Sequence, residues 1–193
     1  MAEAADPGDA SDGTAPPDQV PDQVPDQVPA GEVVTPDDRR FRDVFGSFAT
    51  GVTIVTAIDG SEPVGMAANS FTSVSLDPPL VLFCVARSSS TWPRIQAAGR
   101  FAINVLGEHH EELSRVFATR DVDRFGSTPW HCGVSGSPVL DEAIAYIDCE
   151  FEAQYPGGDH MIVVGRVVDL DMREDARPLL FFKGGYGRIS DSS

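Results

Sequence analysis

Three stretches of this chain carry residue types that could bind and position a reactive ligand. The first is Gly65–Val85, GMAANSFTSVSLDPPLVLFCV. It is small and polar for about ten residues, turns at Asp77-Pro78-Pro79 and then becomes a solid apolar run. Side chains as short as Ala67, Ala68, Ser70 and Ser73 let a flat ligand lie close to the backbone, whose N–H and C=O groups can read its polar edge. The second stretch, Ala86-Arg87-Ser88-Ser89-Ser90-Thr91, follows directly. A run of hydroxyls, an arginine and a predicted helix N-terminus suit a phosphate or a polyol, although Ser and Thr at such a place are also ordinary helix caps. The third is Gly157-Gly158-Asp159-His160, between two predicted strands. It reads either as a hairpin loop with an incidental histidine or as a free backbone turn that sets His160 at the edge of a cleft.

Other chemistries lack their residues. There is no GxGxxG after a strand and no GxxxxGK[ST], so a dinucleotide would have to bind without a Rossmann unit. His109 and His110 are adjacent on a predicted helix with no carboxylate or cysteine at ligand spacing, so no metal site is expected. Ser135 and Ser137 have no partnered histidine in a nucleophile arrangement. Cys84, Cys132 and Cys149 are an odd number without regular spacing, which fits neither a disulfide framework nor zinc and suits a reducing cytoplasm. Cys84, inside an apolar strand, is expected to be inert.

The formal charge is −16, which speaks against nucleic acid as a partner, and half of it lies in residues 1–36, which hold eight acids and no Lys or Arg. That segment contains PDQV three times. Frequent proline and little apolar surface predict a solvated tail, with the domain occupying residues 37–190. No apolar run reaches the roughly 20 residues of a membrane span, and no secretory signal opens the chain.

The elements that must hold the three stretches are mostly strands. A first helix is predicted to begin with Thr35 as cap and Pro36 at its first position, with Phe41, Val44, Phe45 and Phe48 as an inward stripe. Strands are predicted over Val52–Ala57, Leu80–Val85, Phe101–Leu106, the alternating run around Ile147–Ala153, Met161–Leu170 and Leu179–Phe182. Asp59-Gly60 reads as a hairpin turn. Leu80–Val85 is continuously apolar and is expected to be covered on both faces; the alternation at Ile147–Ala153 puts Asp148, Glu150 and Glu152 on a wet face. Two more helices, about Ser90–Ala98 (Trp92 and Ile95 inward) and Glu108–Thr119 (Leu113, Val116 and Phe117 inward), complete a pattern that is not alternating βαβ. An antiparallel barrel with a few short flanking helices fits it best.

In order and spacing, TGVTIVT (Thr50–Thr56), the ANSFTSVSLDPP block, GRFAINVL (Gly99–Leu106), GDH (Asp159 and His160 included) and RPLLFFKGGY (Arg177–Tyr186) resemble the flavin reductase domain family, over about residues 38–187. The resemblance implies a mainly β, FMN-binding split β-barrel, normally a homodimer with flavin near the subunit boundary. It implies that Met66, Ala67, Ala68, Asn69, Ser70 and Ser73, with Cys84 and Val85, hold the isoalloxazine ring. Ala86, Arg87, Ser88, Ser89, Ser90 and Thr91 would hold the ribityl and phosphate. Phe101 and Tyr186 would lie by the flavin and nicotinamide. Asp159 and His160 would border the nicotinamide, His160 as the catalytic candidate that positions its carboxamide or ribose. Asp123-Arg124-Phe125 also matches a family pattern that could simply tie a loop.

The reaction so implied is hydride transfer from NADH, with NADPH an open alternative, to free FAD or FMN. Reduced flavin would then diffuse to a separate flavin-dependent monooxygenase. That step needs aligned rings and dipoles near the flavin, not a protein nucleophile or a metal, so the missing catalytic dyad is expected. The alternatives are a non-catalytic flavin- or haem-binding module on the same barrel and a purely structural partner subunit.

Overall fold

The computed structural model describes residues 37–190. Its frame is an antiparallel seven-stranded sheet. Strand β2 (Thr53–Asp59) turns through Asp59-Gly60, with φ +64° at Gly60, into β3 (Glu62–Ala68), and Asp59 pairs with Glu62. β4 (Thr72–Leu76) turns back as β5 (Pro79–Ala86), and β6 (Arg100–Val105) follows. β9 (Ala145–Gly157) and β10 (His160–Met172) form a long hairpin closed by Gly158 at φ +68°. The order across the sheet is β3-β2-β6-β9-β10-β5-β4.

That order dictates the curl. β3 and β4 are the two edges of the sheet, yet only residues 69–71 join them. Four Cα steps span at most about 14 Å, so the edges must come together. Ser70 fastens the closure: its Oγ accepts from Cys84 N–H at 2.9 Å and donates to Cys84 C=O at 3.0 Å. The result is a split barrel, mainly β, with short helices outside it.

The strand β2 is buried on both faces and separates two apolar clusters. Val55 and Ala57 face the first, around Phe83, Phe101, Trp92 and Ile95. Ile54 faces the second, around Leu106, Phe117, Leu140 and Leu179. Helix α2 (Trp92–Ala98) packs Trp92 and Ile95 inward and ends at Gly99, which takes the left-handed φ of +71° that closes helices. Helix α3 (Glu111–Ala118) lays Phe117 on β3 at Gly65, where a Cβ would stand 2.9 Å from the ring. A small sheet of β1 (Thr50–Gly51), β11 (Leu180–Phe182) and β12 (Gly185–Gly187) carries Tyr186 toward α3, and the hairpin β7 (Trp130–Cys132) and β8 (Pro138–Leu140) lies along the sequence between α3 and β9.

Several expectations need correction. Helix α1 (Asp38–Phe45) is capped by Asp37, whose carboxylate accepts from Arg40 N–H at 2.7 Å; Thr35 and Pro36, expected at that end, lie outside the described residues, as does the whole 1–36 segment. The Phe41, Val44, Phe45 and Phe48 stripe is exposed, Phe48 to 76%, so the amphipathic face has no cover within the described residues. In β5 only Val81, Phe83 and Val85 are buried, while Leu80, Leu82 and Cys84 are half-buried, so one face is core and the other is partly open. Asp148, expected on the wet face of β9, is fully buried because the β7–β8 hairpin covers it. The polar first half of the Gly65–Val85 stretch contains strand β4 and the end of β3, which composition alone does not suggest.

Candidate active site

The barrel geometry brings the three sequence stretches to one place. β10 pairs with β5 so that His160 lies opposite Ala86, which sets the Gly-Gly-Asp-His turn beside the start of the hydroxyl loop. Arg87 N–H donates to Asp159 C=O at 2.9 Å and Arg87 Nε to Gly158 C=O at 2.9 Å, so the two loops are clamped together. The closure at Ser70 brings the end of β3 to the same spot.

Between these walls lies an open cavity of about 390 Å³. Met66, Ala67, Ala68, Asn69 and Ser70 line one side; Cys84, Val85 and Ala86 form the strand wall; Ser88, Ser89, Ser90 and Thr91 form the loop; His160 stands at the rim. The α3 end adds Phe117 and Ala118, and the loop after it adds Arg120 and Arg124. Ala118 and Arg120 carry no signal in the sequence, Phe117 is expected inward from its helix, and Arg124 is expected as a loop tie. It is that tie: its guanidinium donates to Gly65 C=O (3.0 Å), to Thr91 Oγ1 (3.2 Å) and to Thr119 C=O (2.5 Å). It also lines the cavity, and its acceptors are all neutral. Burial pulls its pKa down, with only Asp121 opposing.

The hydroxyl loop has divided duties. Ser89 Oγ accepts from Trp92 N–H at 3.1 Å and so caps α2, while Thr91 makes no cap bond. Ser88 and Ser90 are left to the cavity. His160 Nδ1 lies 2.8 Å from Asp159 Oδ1. A carboxylate can only accept, so the ring proton sits on Nδ1 and Nε2 is free for a ligand. The same bond holds the Asp159 carboxyl below its ordinary range.

Five expected residues do not line this cavity; one of them, Asp159, touches it only through its bond to His160. Ser73 is exposed on β4 and Arg87 is engaged with Gly158; neither lines the cavity. Phe101 is fully buried, edge-on to Phe83 at 5.5 Å, with its ring tip where a side chain at Gly165 would be; it is core. Tyr186 lines a neighbouring, smaller cavity of about 170 Å³ with Val52, Ser114 and Phe181. That cavity shares Ala67, Ala68, Asn69 and Ala118 with the first, and the Tyr186 hydroxyl is tied to Ser114 Oγ at 2.9 Å.

The histidine pair also departs from expectation. Glu142, remote in sequence, comes within ligand distance of both His109 and His110, all three ligand atoms lying within 4.8 Å of one another. Yet His110 Nδ1 accepts from Gly107 N–H at 3.1 Å, so the proton of the neutral ring is on Nε2, facing Glu142 at 3.4 Å. Neither nitrogen keeps a free lone pair, and the group suits a hydrogen-bond cluster better than a cation. The buried Cys149 thiol is pushed up to about 12, chiefly by desolvation, and is inert.

Comparison with known proteins agrees with this geometry. The family model described as "Flavin reductase like domain" matches residues 45–190. The reductase subunit of a flavin-dependent monooxygenase from Rhodococcus jostii is 46% identical over 153 residues, covering 79% of this chain and 78% of its own. An FMN reductase (NADH) from Agrobacterium fabrum is 44% identical over 154 residues, covering 80% and 87%. The solved structure of a Streptomyces globisporus NADH:FAD oxidoreductase, in complex with NAD and FAD fragments, superimposes with a TM-score of 0.76 at 44% identity, covering 83% of this chain and 98% of that one. Among the described residues no helix is long and apolar enough to cross a membrane.

Proposed function

We infer that this chain, which belongs to the flavin reductase-like family, is an NADH-dependent flavin reductase that serves a separate flavin-dependent monooxygenase. The observation that carries the reading is the convergence in one cavity of a small-residue wall, a hydroxyl loop and a histidine with a free Nε2. The residues fit a flavin. Ala67 and Ala68 hold no bulk against a planar ring, and Arg124 is a cation that makes no ion pair among the described residues, at the end where an anionic tail would lie. When both are bound, the nicotinamide supplies a hydride and the flavin accepts it. The chain's task is to hold the two rings together and keep water out. Backbone groups along β3 and β5 read the flavin edge; Ser88 and Ser90 receive its ribityl and phosphate; His160, oriented by Asp159, positions the nicotinamide through Nε2. NADH as donor is supported by the two relatives named for it.

A homodimer is supported by the apolar side chains that the described chain leaves open: Phe41, Val44, Phe45 and Phe48 on α1, and Leu76, Leu170 and Met172 on the sheet. A cytoplasmic setting is supported by three cysteines that form no disulfide. Residues 37–190 are proposed as the working domain and 1–36 as a tail outside it. The test is direct: purified protein mixed with NADH and free flavin should consume the nicotinamide absorbance with turnover. Flavin binding without NADH consumption would instead make the chain a flavin-binding module, and a concentration-independent monomer in sedimentation would remove the dimer.

A further inference from the structure

Arg87 opens the hydroxyl loop, yet it does not line the cavity as Ser88, Ser89, Ser90 and Thr91 do. It reaches the opposite wall instead. Its Nε donates to Gly158 C=O at 2.9 Å, and its backbone N–H donates to Asp159 C=O at 2.9 Å. Among the described residues, no other hydrogen bond reaches Gly158 or Asp159 from outside the β9–β10 hairpin.

The two ends of this contact differ in stiffness. On the loop side, Ser89 N–H donates to Ala86 C=O at 3.0 Å and closes a tight turn with Arg87 and Ser88 at its centre. Ser89 Oγ, accepting from Trp92 N–H at 3.1 Å, ties that turn to α2. Arg87 and Ser88 therefore move together. On the hairpin side, Gly157, Gly158 and Asp159 are all exposed, and Gly158 stands at φ +68°. Glycine has the most backbone freedom to lose, and neither glycine has a side chain to brace the turn. The Asp159 carboxylate is spent on His160 Nδ1 at 2.8 Å. The position of the Asp159–His160 pair thus depends on what Arg87 holds.

We propose that Arg87 is a positioning residue that couples the two substrate sites: a flavin polyol phosphate held by Ser88 and Ser90 fixes, through the Arg87 guanidinium, the turn that aims His160 at the nicotinamide. This rests on the cavity being the flavin site and on His160 facing the nicotinamide. The path is one hydrogen-bonded unit, from Ser88 to Arg87 to Gly158 to the Asp159–His160 pair. Coupling of this kind is reciprocal, so each ligand tightens the other by the same factor. Direct stacking of the two rings also couples the sites, but it needs only the ring, whereas the Arg87 path needs the polyol phosphate.

That difference makes the experiment. The Kd of NAD+ is measured by calorimetry on the full chain alone, with saturating FMN, and with saturating lumiflavin, which is the same ring without its polyol phosphate. In the wild type FMN should tighten NAD+ about threefold more than lumiflavin does, the worth of one exposed hydrogen bond. In Arg87→Ala the two flavins should tighten NAD+ equally, while the Kd of FMN alone with the variant changes by less than about twofold. Arg87→Lys, which keeps one donor, should lie between. The backbone bond to Asp159 survives both substitutions, so the variants are expected to fold. Equal effects of FMN and lumiflavin in the wild type overturn the proposal, and so does an FMN advantage that persists in Arg87→Ala. A selective loss of FMN affinity in that variant also overturns it, because Arg87 would then hold the phosphate itself. Failure of the wild type to bind FMN or to consume NADH would fell the underlying reading as well, and is distinguished by appearing before any substitution is made.

Discussion

The polar groups under the β7–β8 hairpin and those around the proposed flavin cavity are equally well positioned, and they differ in what remains for them to bind. Under the hairpin everything is satisfied internally. Asp148 accepts from Ser135 N–H at 2.6 Å and Ser135 Oγ at 2.5 Å, and Ser135 is bonded to Ser137 at 2.7 Å. Asn104 donates to Ile54 C=O and Thr56 Oγ1 and accepts from Leu140 N–H. All of these side chains are buried. Around the cavity, Ser88, Ser90, Arg120 and the Nε2 of His160 keep bonding capacity that no described residue fills. A buried donor or acceptor without a partner costs about 1–3 kcal/mol, so closed networks stabilise and open ones belong where a ligand can complete them.

The comparison predicts opposite signatures for its two halves. The largest effect is expected from Asp148→Ala, which strips Ser135 of two bonds inside the core and should cost about 3 kcal/mol, or roughly 10 °C in Tm. Thermal unfolding checks it, and a shift within about 1 °C would mean that the network does not hold the hairpin. His160→Ala should do the reverse. It is expected to raise the KM for NADH roughly three- to tenfold, the worth of one hydrogen bond, with Tm and oxidised-flavin affinity nearly unchanged. Lost flavin affinity would move His160 to the other part of the cleft.

A third cluster lies between these extremes and sharpens the contrast through pH. Desolvation, aided by His109, lowers the His110 pKa below its ordinary 6.5. The unfolded chain therefore binds the proton more readily, so stability is fully present above about 6.5 and declines as pH falls through the lower folded value. His110→Gln retains an acceptor for Gly107 N–H and should flatten the acid side of a Tm-against-pH profile; an unchanged slope would show that other groups set it. The smallest effect is expected from removal of residues 1–36. The family match begins only at residue 45, and turnover should stay within about twofold and Tm within about 1 °C.

Much of this architecture was legible in residue order. The Asp59-Gly60 turn, the Gly157-Gly158 turn and the inward Trp92, Ile95 and Phe117 are local signals, because turn geometry and side-chain periodicity depend on neighbours a few positions away. The three stretches that meet at the cavity were legible for the same reason, as runs of small, hydroxyl or glycine residues. Local patterns fail where the deciding neighbour is distant. Asp148 alternates like a solvent-facing residue, and only the hairpin, folding back from a separate segment, buries it. Phe101 sits in a motif shared with flavin reductases, yet its strand turns it into the core.

The sequence by itself determined that the chain is a β-rich domain with a small-residue segment, a hydroxyl loop and a Gly-Asp-His turn, since each is written in consecutive residues. Only the tertiary structure decided that they meet. The short link between β3 and β4 forces the sheet to close, and that closure, with the pairing of His160 opposite Ala86, makes one cavity of three remote stretches. It also decided that Arg120 and Arg124 line that cavity, because the loop after α3 is brought there by the fold and not by its neighbours in sequence.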